Sequence, residues 1–209
     1  ESTILRSPRE SPDTSSPMDR PRTLDPLVAP LRAEVLSGAS VVARMACDAL
    51  VRGAGQLAAG SGAEIRAAMA DLGVRMLDAQ PAMASLVTLV VQVLQAMSGI
   101  EDVPRARAAA RGAAQAFREG MDARARALAK RTAALFPENA VILTLSSSTS
   151  VRDALLHAAR RQRVEVVVLE SRPLQEGHGL AADLASGGIP VTVAVDAVCA
   201  RILGHEPAS

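Results

Sequence analysis

Aromatic side chains are almost missing from this sequence, which has no Trp, no Tyr and only Phe117 and Phe136. Proteins that hold single-stranded nucleic acid stack its bases on aromatic rings, so this mode of binding is not expected. Basic charge is not in excess either, because 23 Lys and Arg residues stand against 22 Asp and Glu residues. Nucleic acid or an anionic membrane as the main partner would favour a concentrated basic patch, so neither is predicted.

Cysteine is equally scarce. Cys47 and Cys199 are far apart and form no Cys-x-x-Cys spacing, so neither a disulfide framework nor a zinc site is indicated, and a reducing cytoplasm is the predicted location. Long apolar runs are also missing. The most apolar segment, residues 82–97, is shorter than a bilayer span and contains Gln92 and Gln95, which predicts a buried helix.

Three regions follow one another along the chain. Residues 1–23 are rich in Ser, Pro and charge and predict a disordered tail. Residues 24–137 repeat apolar positions at three- and four-residue spacing, which predicts a domain of five helices. Residues 138–209 alternate strand, helix, strand, helix and strand, with the apolar strands "AVILTL", "VEVVVLE" and "IPVTVAVDAV". This alternation predicts an α/β fold with a parallel sheet, and the nearly unbroken apolar strands predict helices on both faces.

The fifth helix mixes alanines with eight Arg and Lys residues between Arg105 and Arg131. A groove for RNA is one interpretation of this pattern. Glu119 and Asp122 interrupt the basic run, however, and a solvated or subunit-facing helix fits the pattern better. We therefore assign this helix no chemistry from its sequence.

The loops after the three strands carry the candidate binding residues, because ligands of parallel sheets bind beyond the carboxyl ends of the strands. Hydroxyls and backbone amides at a helix amino terminus suit a phosphate, to which Arg172 adds a bidentate cation. Asp196 would accept hydrogen bonds from sugar hydroxyls, or act as a general base if its pKa were raised. The first loop supplies Ser146, Ser147, Ser148, Thr149 and Ser150. A phosphorylated polyol is the predicted ligand, although such hydroxyl clusters also serve simply as helix caps.

Several familiar site motifs are missing. The sequence has no Gly-x-Gly-x-x-Gly and no Gly-Lys-Ser/Thr, so no dinucleotide or P-loop nucleotide site is predicted. It has no Gly-x-Ser-x-Gly elbow, so Ser146 is not predicted to be a hydrolytic nucleophile. Neither a cofactor nor a metal is expected.

Four segments together resemble one known family. They are "SGASVVARMACDAL", "QPAMASLVTLV", "ILTLSSSTSV" and "VVVLESRPLQEGHGLAADLASGGIPVTVAVDA". The chain resembles, over about residues 24–197, the family of translation initiation factor 2B alpha, beta and delta subunits, ribose-1,5-bisphosphate isomerase and methylthioribose-1-phosphate isomerase. The segment "ESRP", residues 170–173, is the most specific element. The resemblance implies an amino-terminal helical domain, a carboxy-terminal Rossmann-like domain and assembly into dimers or larger oligomers.

The resemblance also bears on single residues. The isomerases have a catalytic cysteine where this chain has Ser146, and a hydroxyl exchanges protons poorly near neutral pH, so catalysis through this position should be slow or lost. Their catalytic aspartate belongs to a Gly-Ala-Asp segment that this sequence does not reach before Ser209. Arg172 matches the family's arginine. His178 stands where Lys or Arg is common, which implies weaker and pH-dependent anion binding.

Upstream, Ser37 and Gly38 match a helix-start motif near the site of the relatives, and a simple helix break explains them equally well. Downstream, the family continues with further strands and helices. We therefore expect an incomplete Rossmann-like sheet, with a fragment or frameshifted product as the favoured explanation. Apolar faces left exposed by the missing elements would favour oligomerisation or aggregation.

Three functions stay open at this point. The favoured one is a sugar-phosphate-binding protein that turns its ligand over poorly. The second is an aldose-ketose sugar-phosphate isomerase, active when the chain is full length. The third is a ligand-free regulatory or assembly subunit related to initiation factor 2B. The expected partners are a phosphorylated sugar or nucleotide metabolite and further copies of the chain.

Overall fold

The structure, a computed structural model, describes residues 24–35 and 37–204. The tail predicted for residues 1–23 lies outside the described residues. Five helices make up the first part, as predicted. They are α1 (Asp25–Ala33), α2 (Ala39–Gln56), α3 (Gly62–Ala79), α4 (Ala84–Ala96) and α5 (Val103–Ala133).

Local capping sets the starts of two of these helices. The Ser61 hydroxyl accepts a hydrogen bond from the backbone N–H of Glu64 at 3.2 Å and so caps α3. The Glu64 carboxylate accepts in return from the N–H of Gly60 at 2.7 Å. Asp102 accepts from the N–H of Arg105 at 2.8 Å and caps α5. Each cap satisfies a backbone donor that a helix start leaves without an internal partner.

The first four helices and the first half of α5 share one core. Met69 and Met76 are fully buried in it, where their flexible side chains fill gaps between the helices. Small residues of α5, among them Ala106 and Ala110, let its backbone approach the other helices closely. Cys47 is also buried here, and this burial raises the pKa of its thiol to about 11. Cys47 is thus a small buried residue of this core.

The second part is an α/β unit with three parallel strands in the order β1-β2-β3. The register places Ile142 beside Val166 and Val166 beside Val191. Its elements are β1 (Ala140–Thr144), α6 (Thr149–Ala159), β2 (Val164–Leu169), α7 (Gly177–Ser186) and β3 (Val191–Ala194), followed by a 3₁₀ turn (Asp196–Val198) and α8 (Cys199–Leu203). The predicted α/β class with a parallel sheet is confirmed.

Only one face of the sheet is covered by helices within the described residues. Both crossovers step in the same direction, and right-handed crossovers of this kind place their helices, α6 and α7, on the same face. Val166 and Val168 point to that face and pack with Leu155 and Leu184 in a second core. On the opposite face Val141 is 65% exposed. The prediction of helices on both faces is therefore wrong for this part of the chain.

Helix α5 takes part in both cores. Ala106 and Ala110 lie in the helical core, and Ala133, near the end of the same helix, lies in the core under the sheet. The division into a domain of residues 24–137 and one of residues 138–209 stays a prediction.

Within the described residues, none of the helices combines the length and apolarity needed to cross a membrane.

Candidate functional site

The loop after β1 is tied to the loop after β2 through Ser146. The backbone of Ser146 has a φ of +63°, in the left-handed region that residues other than glycine rarely adopt. In this conformation the Ser146 N–H donates a hydrogen bond to the Ser171 hydroxyl at 2.6 Å. The Ser146 hydroxyl donates to a carboxylate oxygen of Glu176, also at 2.6 Å. Residue 146 thus stands at the carboxyl edge of the sheet, held by the neighbouring loop on both sides.

The rest of the hydroxyl cluster faces the start of α6. The Ser148 hydroxyl accepts a long hydrogen bond of 3.4 Å from the N–H of Val151 and caps this helix. The interpretation as a helix cap is therefore confirmed for Ser148. Ser147 is exposed, and Ser150 is half-buried.

The start of α2 lies next to the start of α6. The Thr149 hydroxyl donates to the Ser40 hydroxyl at 3.2 Å, although 109 residues separate the two in sequence. A Cβ added at Gly38 would lie 3.9 Å from the carbonyl oxygen of Ser147. Gly38 and the adjacent Ser37 are thus close to the loop after β1. Each helix start has backbone N–H groups without an intrahelical acceptor and carries a partial positive charge.

The second loop carries Arg172 beside a buried acid. Arg172 donates through Nε to the Glu170 carboxylate at 2.7 Å, and Glu170 is only 7% exposed. This hydrogen bond and the charge of Glu170 raise the pKa of the Arg172 guanidinium. The peptide bond from Arg172 to Pro173 is cis. The side chain of Arg172 is largely exposed, and its Nη groups are available to a ligand.

Asp196 anchors the second loop. Its carboxylate oxygens accept hydrogen bonds from the backbone N–H groups of Ser171 and Arg172, each at 2.8 Å. These two bonds, first that from Arg172, lower the pKa of Asp196. A general base would need a raised pKa, so this condition of the sequence prediction is not met. Asp196 remains an acceptor of hydrogen bonds, with lone pairs beyond those that the loop uses.

The anchor role of Asp196 predicts a particular pH dependence. The folded pKa lies below the unfolded value, so its stabilisation is present above about pH 4 and lost as the pH falls through the folded pKa. We expect Asp196→Asn to be less stable than the parent at neutral pH and to lose less stability on acidification, as measured by urea denaturation at several pH values. Asp78→Asn, a change at an exposed acid of α3, should retain the parental acid sensitivity. An Asp196→Asn curve parallel to the parental one would contradict the anchor role.

The two loops and Asp196 enclose a cavity of about 510 Å³ at the carboxyl edge of the sheet. Its polar lining comes from Ser146, Ser171, Arg172, Glu176 and Asp196, and its apolar lining comes from Leu145, Leu169, Pro173 and Leu174. Two carboxylates and one guanidinium line it, so the cavity itself is more acidic than basic. Such a lining suits a ligand with several hydroxyl groups, which can donate to the carboxylates.

The structure thus divides the predicted site residues into three groups. Ser146, Arg172 and Asp196 line one cavity. The group beside it consists of Ser37, Gly38, Ser147, Ser148, Thr149 and Ser150. His178 is exposed in the first turn of α7 and does not line the cavity.

Sequence reasoning missed two residues of the site. The Glu176 carboxylate accepts a hydrogen bond from the Ser146 hydroxyl, and the Ser40 hydroxyl accepts one from the Thr149 hydroxyl. Glu176 belongs to the conspicuous "ESRPLQEG" segment, but no spacing rule singles it out. In the part of the chain that the structure describes, no group of three or more His, Cys, Asp or Glu residues is placed to hold a metal ion.

Comparison with known proteins adds an independent observation. Residues 35–205 match the profile of the initiation factor 2 subunit family. The translation initiation factor eIF-2B subunit 2-like protein of Pyrococcus abyssi is 31% identical over 167 residues, which are 79% of this chain and 56% of that protein. The chain therefore spans little more than half the length of this relative.

Two solved structures resemble this fold. The translation initiation factor eIF-2B of Pyrococcus horikoshii OT3 superposes with a TM-score of 0.73 at 28% identity, covering 86% of this chain and 62% of that one. The 5-methylthioribose 1-phosphate isomerase of the same organism superposes with a TM-score of 0.69 at 16% identity, covering 86% and 54%. At this lower identity the similarity concerns the fold alone.

Proposed function

Because this chain belongs to the initiation factor 2 subunit family, we propose that it binds a phosphorylated sugar at the carboxyl edge of its sheet without turning it over efficiently. One observation carries the proposal. The loop after β1 lies between two features. On one side is a cavity suited to hydroxyl groups, and on the other are the starts of α2 and α6, which suit a phosphate. A sugar phosphate has both of the matching groups, the hydroxyl groups of the sugar and the phosphate.

The phosphate belongs beside the helix starts. The first turns of α2 and α6 offer backbone N–H groups and aligned dipoles, with the hydroxyls of Ser147 in the loop and Ser150 in the first turn of α6. The Nη groups of Arg172 add a cation from the second loop. Glu176 and Asp196 repel a phosphate from the cavity itself, so the charges orient the ligand as well as hold it.

The sugar belongs in the cavity. Its volume of about 510 Å³ lies within the range of small-molecule sites. Glu176 and Asp196 present carboxylate oxygens to the ligand hydroxyls, and Leu145, Leu169 and Leu174 offer apolar contact to the carbon chain.

The chemistry at Ser146 favours binding over turnover. Aldose-ketose isomerisation moves a proton between neighbouring carbons, which requires a group that both gives and takes protons near neutral pH. The Ser146 hydroxyl is a poor acid, and it is already engaged with Glu176. Isomerisation by a longer form of the chain stays an alternative, supported by the fold shared with 5-methylthioribose 1-phosphate isomerase.

Calorimetric titration tests the binding proposal. We expect 5-methylthioribose 1-phosphate or ribose-1,5-bisphosphate to bind and unphosphorylated ribose not to bind. Arg172→Ala should weaken the affinity by about tenfold, the value of one lost charged hydrogen bond. Arg163→Ala is the matched control, because it also removes one arginine and one ion pair, that with Glu165, at the opposite edge of the sheet.

Two outcomes would overturn this proposal. If neither phosphorylated sugar bound to a folded sample, the proposal that the chain binds a sugar phosphate would be wrong. Rapid formation of the ketose product by the parent chain would show that Ser146 does not prevent turnover. Neither result would affect membership of the family, which rests on the sequence match.

A ligand-free assembly subunit is the second candidate. Val141 and Leu145 are 65% and 64% exposed on the sheet and its carboxyl edge, and such apolar side chains are typical of surfaces that another chain covers. Oligomers in sedimentation experiments, together with no binding of either sugar phosphate in calorimetry, would favour this function.

The cytoplasm remains the proposed location, in accord with two unpaired cysteines.

A further inference from the structure

A second cavity, of about 740 Å³, opens between α5, α6 and α2. We call it the α5–α6 cleft. Helix α5 contributes Arg126 and Lys130, and α6 contributes His157 and Arg160. Spacings of three and four residues place these side chains on the facing sides of the two helices. None of them lines the cavity at the carboxyl edge of the sheet, so the two cavities have separate linings.

Part of the charge in this cleft is already neutralised. Arg44 donates to the Asp122 carboxylate at 2.6 Å. Arg118 pairs with Asp48. The remaining acid of the lining, Asp153, pairs with Arg152 at 3.0 Å. Both acids of the cleft therefore already have a cationic partner, although Arg152 also pairs with Asp183.

The other cations of the cleft have no such partner. In the part of the chain that the structure describes, Arg126, Lys130 and Arg160 form no direct hydrogen bond or ion pair, although the charge of Arg126 helps to lower the pKa of Asp122. All three are exposed and line the cleft. Three cations that share a concave surface repel one another, and a bound anion would remove this repulsion.

Two further observations point to a ligand. The Nε2 atom of His157 is buried and, among the described residues, has no hydrogen-bond partner, which is costly for a polar atom. Apolar residues line the cleft between the charges, namely Ala125, Ala129 and Leu156. Small-molecule sites combine such an apolar floor with a few convergent polar groups.

We propose that the α5–α6 cleft binds a small phosphorylated metabolite with two or more phosphoryl groups. Arginine matches phosphate with two parallel hydrogen bonds, and Lys130 adds a point charge. Three unpaired cations suit more than one phosphoryl group. The residues that line the cleft include no Phe, Tyr or Trp, and His157 alone is a small platform for stacking bases, which favours a small ligand over single-stranded RNA.

Titration calorimetry with sodium tripolyphosphate at constant ionic strength tests this proposal. We expect the parent chain to bind this probe more tightly than inorganic phosphate. The double variant Arg126→Ala/Lys130→Ala should weaken the affinity by at least about tenfold, because it removes two charged contacts. Its matched control is Arg111→Ala/Arg131→Ala, which removes the same charge from exposed positions of the same helix outside the cleft. This control should change the affinity by less than about twofold.

The outcome separates this site from the sugar-phosphate site. Arg172→Ala should retain tripolyphosphate binding that the Arg126→Ala/Lys130→Ala change weakens, because Arg172 does not line the α5–α6 cleft. A parent chain that does not bind tripolyphosphate would overturn the proposal. Equal weakening of the affinity by both double variants would also overturn it, because the probe would then be attracted to a basic surface in general. Loss of binding in Arg172→Ala would overturn it too, because the probe would then occupy the sugar-phosphate site.

Discussion

Replacing Gly177 with alanine should lower the free energy of unfolding by about 3 kcal/mol, a large effect for one methyl group. Gly177 is the first residue of α7, and its N–H donates to the carbonyl oxygen of Glu170 at 3.2 Å. An added Cβ would overlap the carbonyl oxygen of Leu169 and lie 3.1 Å from that of Glu170. Both neighbours are backbone atoms at the end of β2, so the clash is relieved only by moving the strand end or the helix. The loop with Arg172 would move with them.

Gly179 provides the control for this change. It lies in the same helix, is exposed, and an added Cβ would meet no atom within 4 Å. Gly179→Ala should therefore raise the stability by up to about 1 kcal/mol through helix propensity. Urea denaturation of the two variants measures the contrast. A Gly177→Ala variant as stable as the parent would mean that the strand end yields easily and that the loop is not held as described.

Leu155→Ala should also be strongly destabilising, by about 3–4 kcal/mol. Leu155 is fully buried in the core between α6 and the sheet, and truncation would leave a cavity there. Since α6 carries the hydroxyl loop at its start, we also expect the affinity for the sugar phosphate to fall.

The comparison for Leu155 is Leu128→Ala. Leu128 is 49% exposed on α5, so its truncation should cost less than about 1 kcal/mol. Thermal and urea denaturation of both variants gives the difference. Equal effects of the two truncations would show that the core beneath the sheet is loosely packed.

The helix starts and the sheet were predictable because they depend on neighbours in sequence. Ser61 and Asp102 cap the helices that follow them, and each needs only residues three positions away. The gathering of Ser146, Arg172 and Asp196 at one edge was also predictable, because the carboxyl ends of parallel strands share an edge.

The roles within the site could not be predicted in the same way. That Ser146 donates to Glu176 depends on a left-handed backbone at residue 146, which a serine rarely adopts. That Asp196 anchors a loop depends on which way two backbone N–H groups point. The α5–α6 cleft depends on the packing of α6 against α5, which the sequence pattern of neither helix specifies. Apolar strands, in turn, do not reveal which of their two faces a crossover covers.

The continuity of α5 limits how the two halves of the molecule can move. The helix has 31 residues and is thus about 46 Å long, with one end in each core. No loop interrupts it where a change of φ and ψ could act as a hinge. Any motion of α6 relative to α5 would occur as shear, in which α6 slides along the small side chains of Ala129 and Ala133. Shear steps are small, so any closure around a ligand would be measured in a few ångströms rather than as a wide rotation.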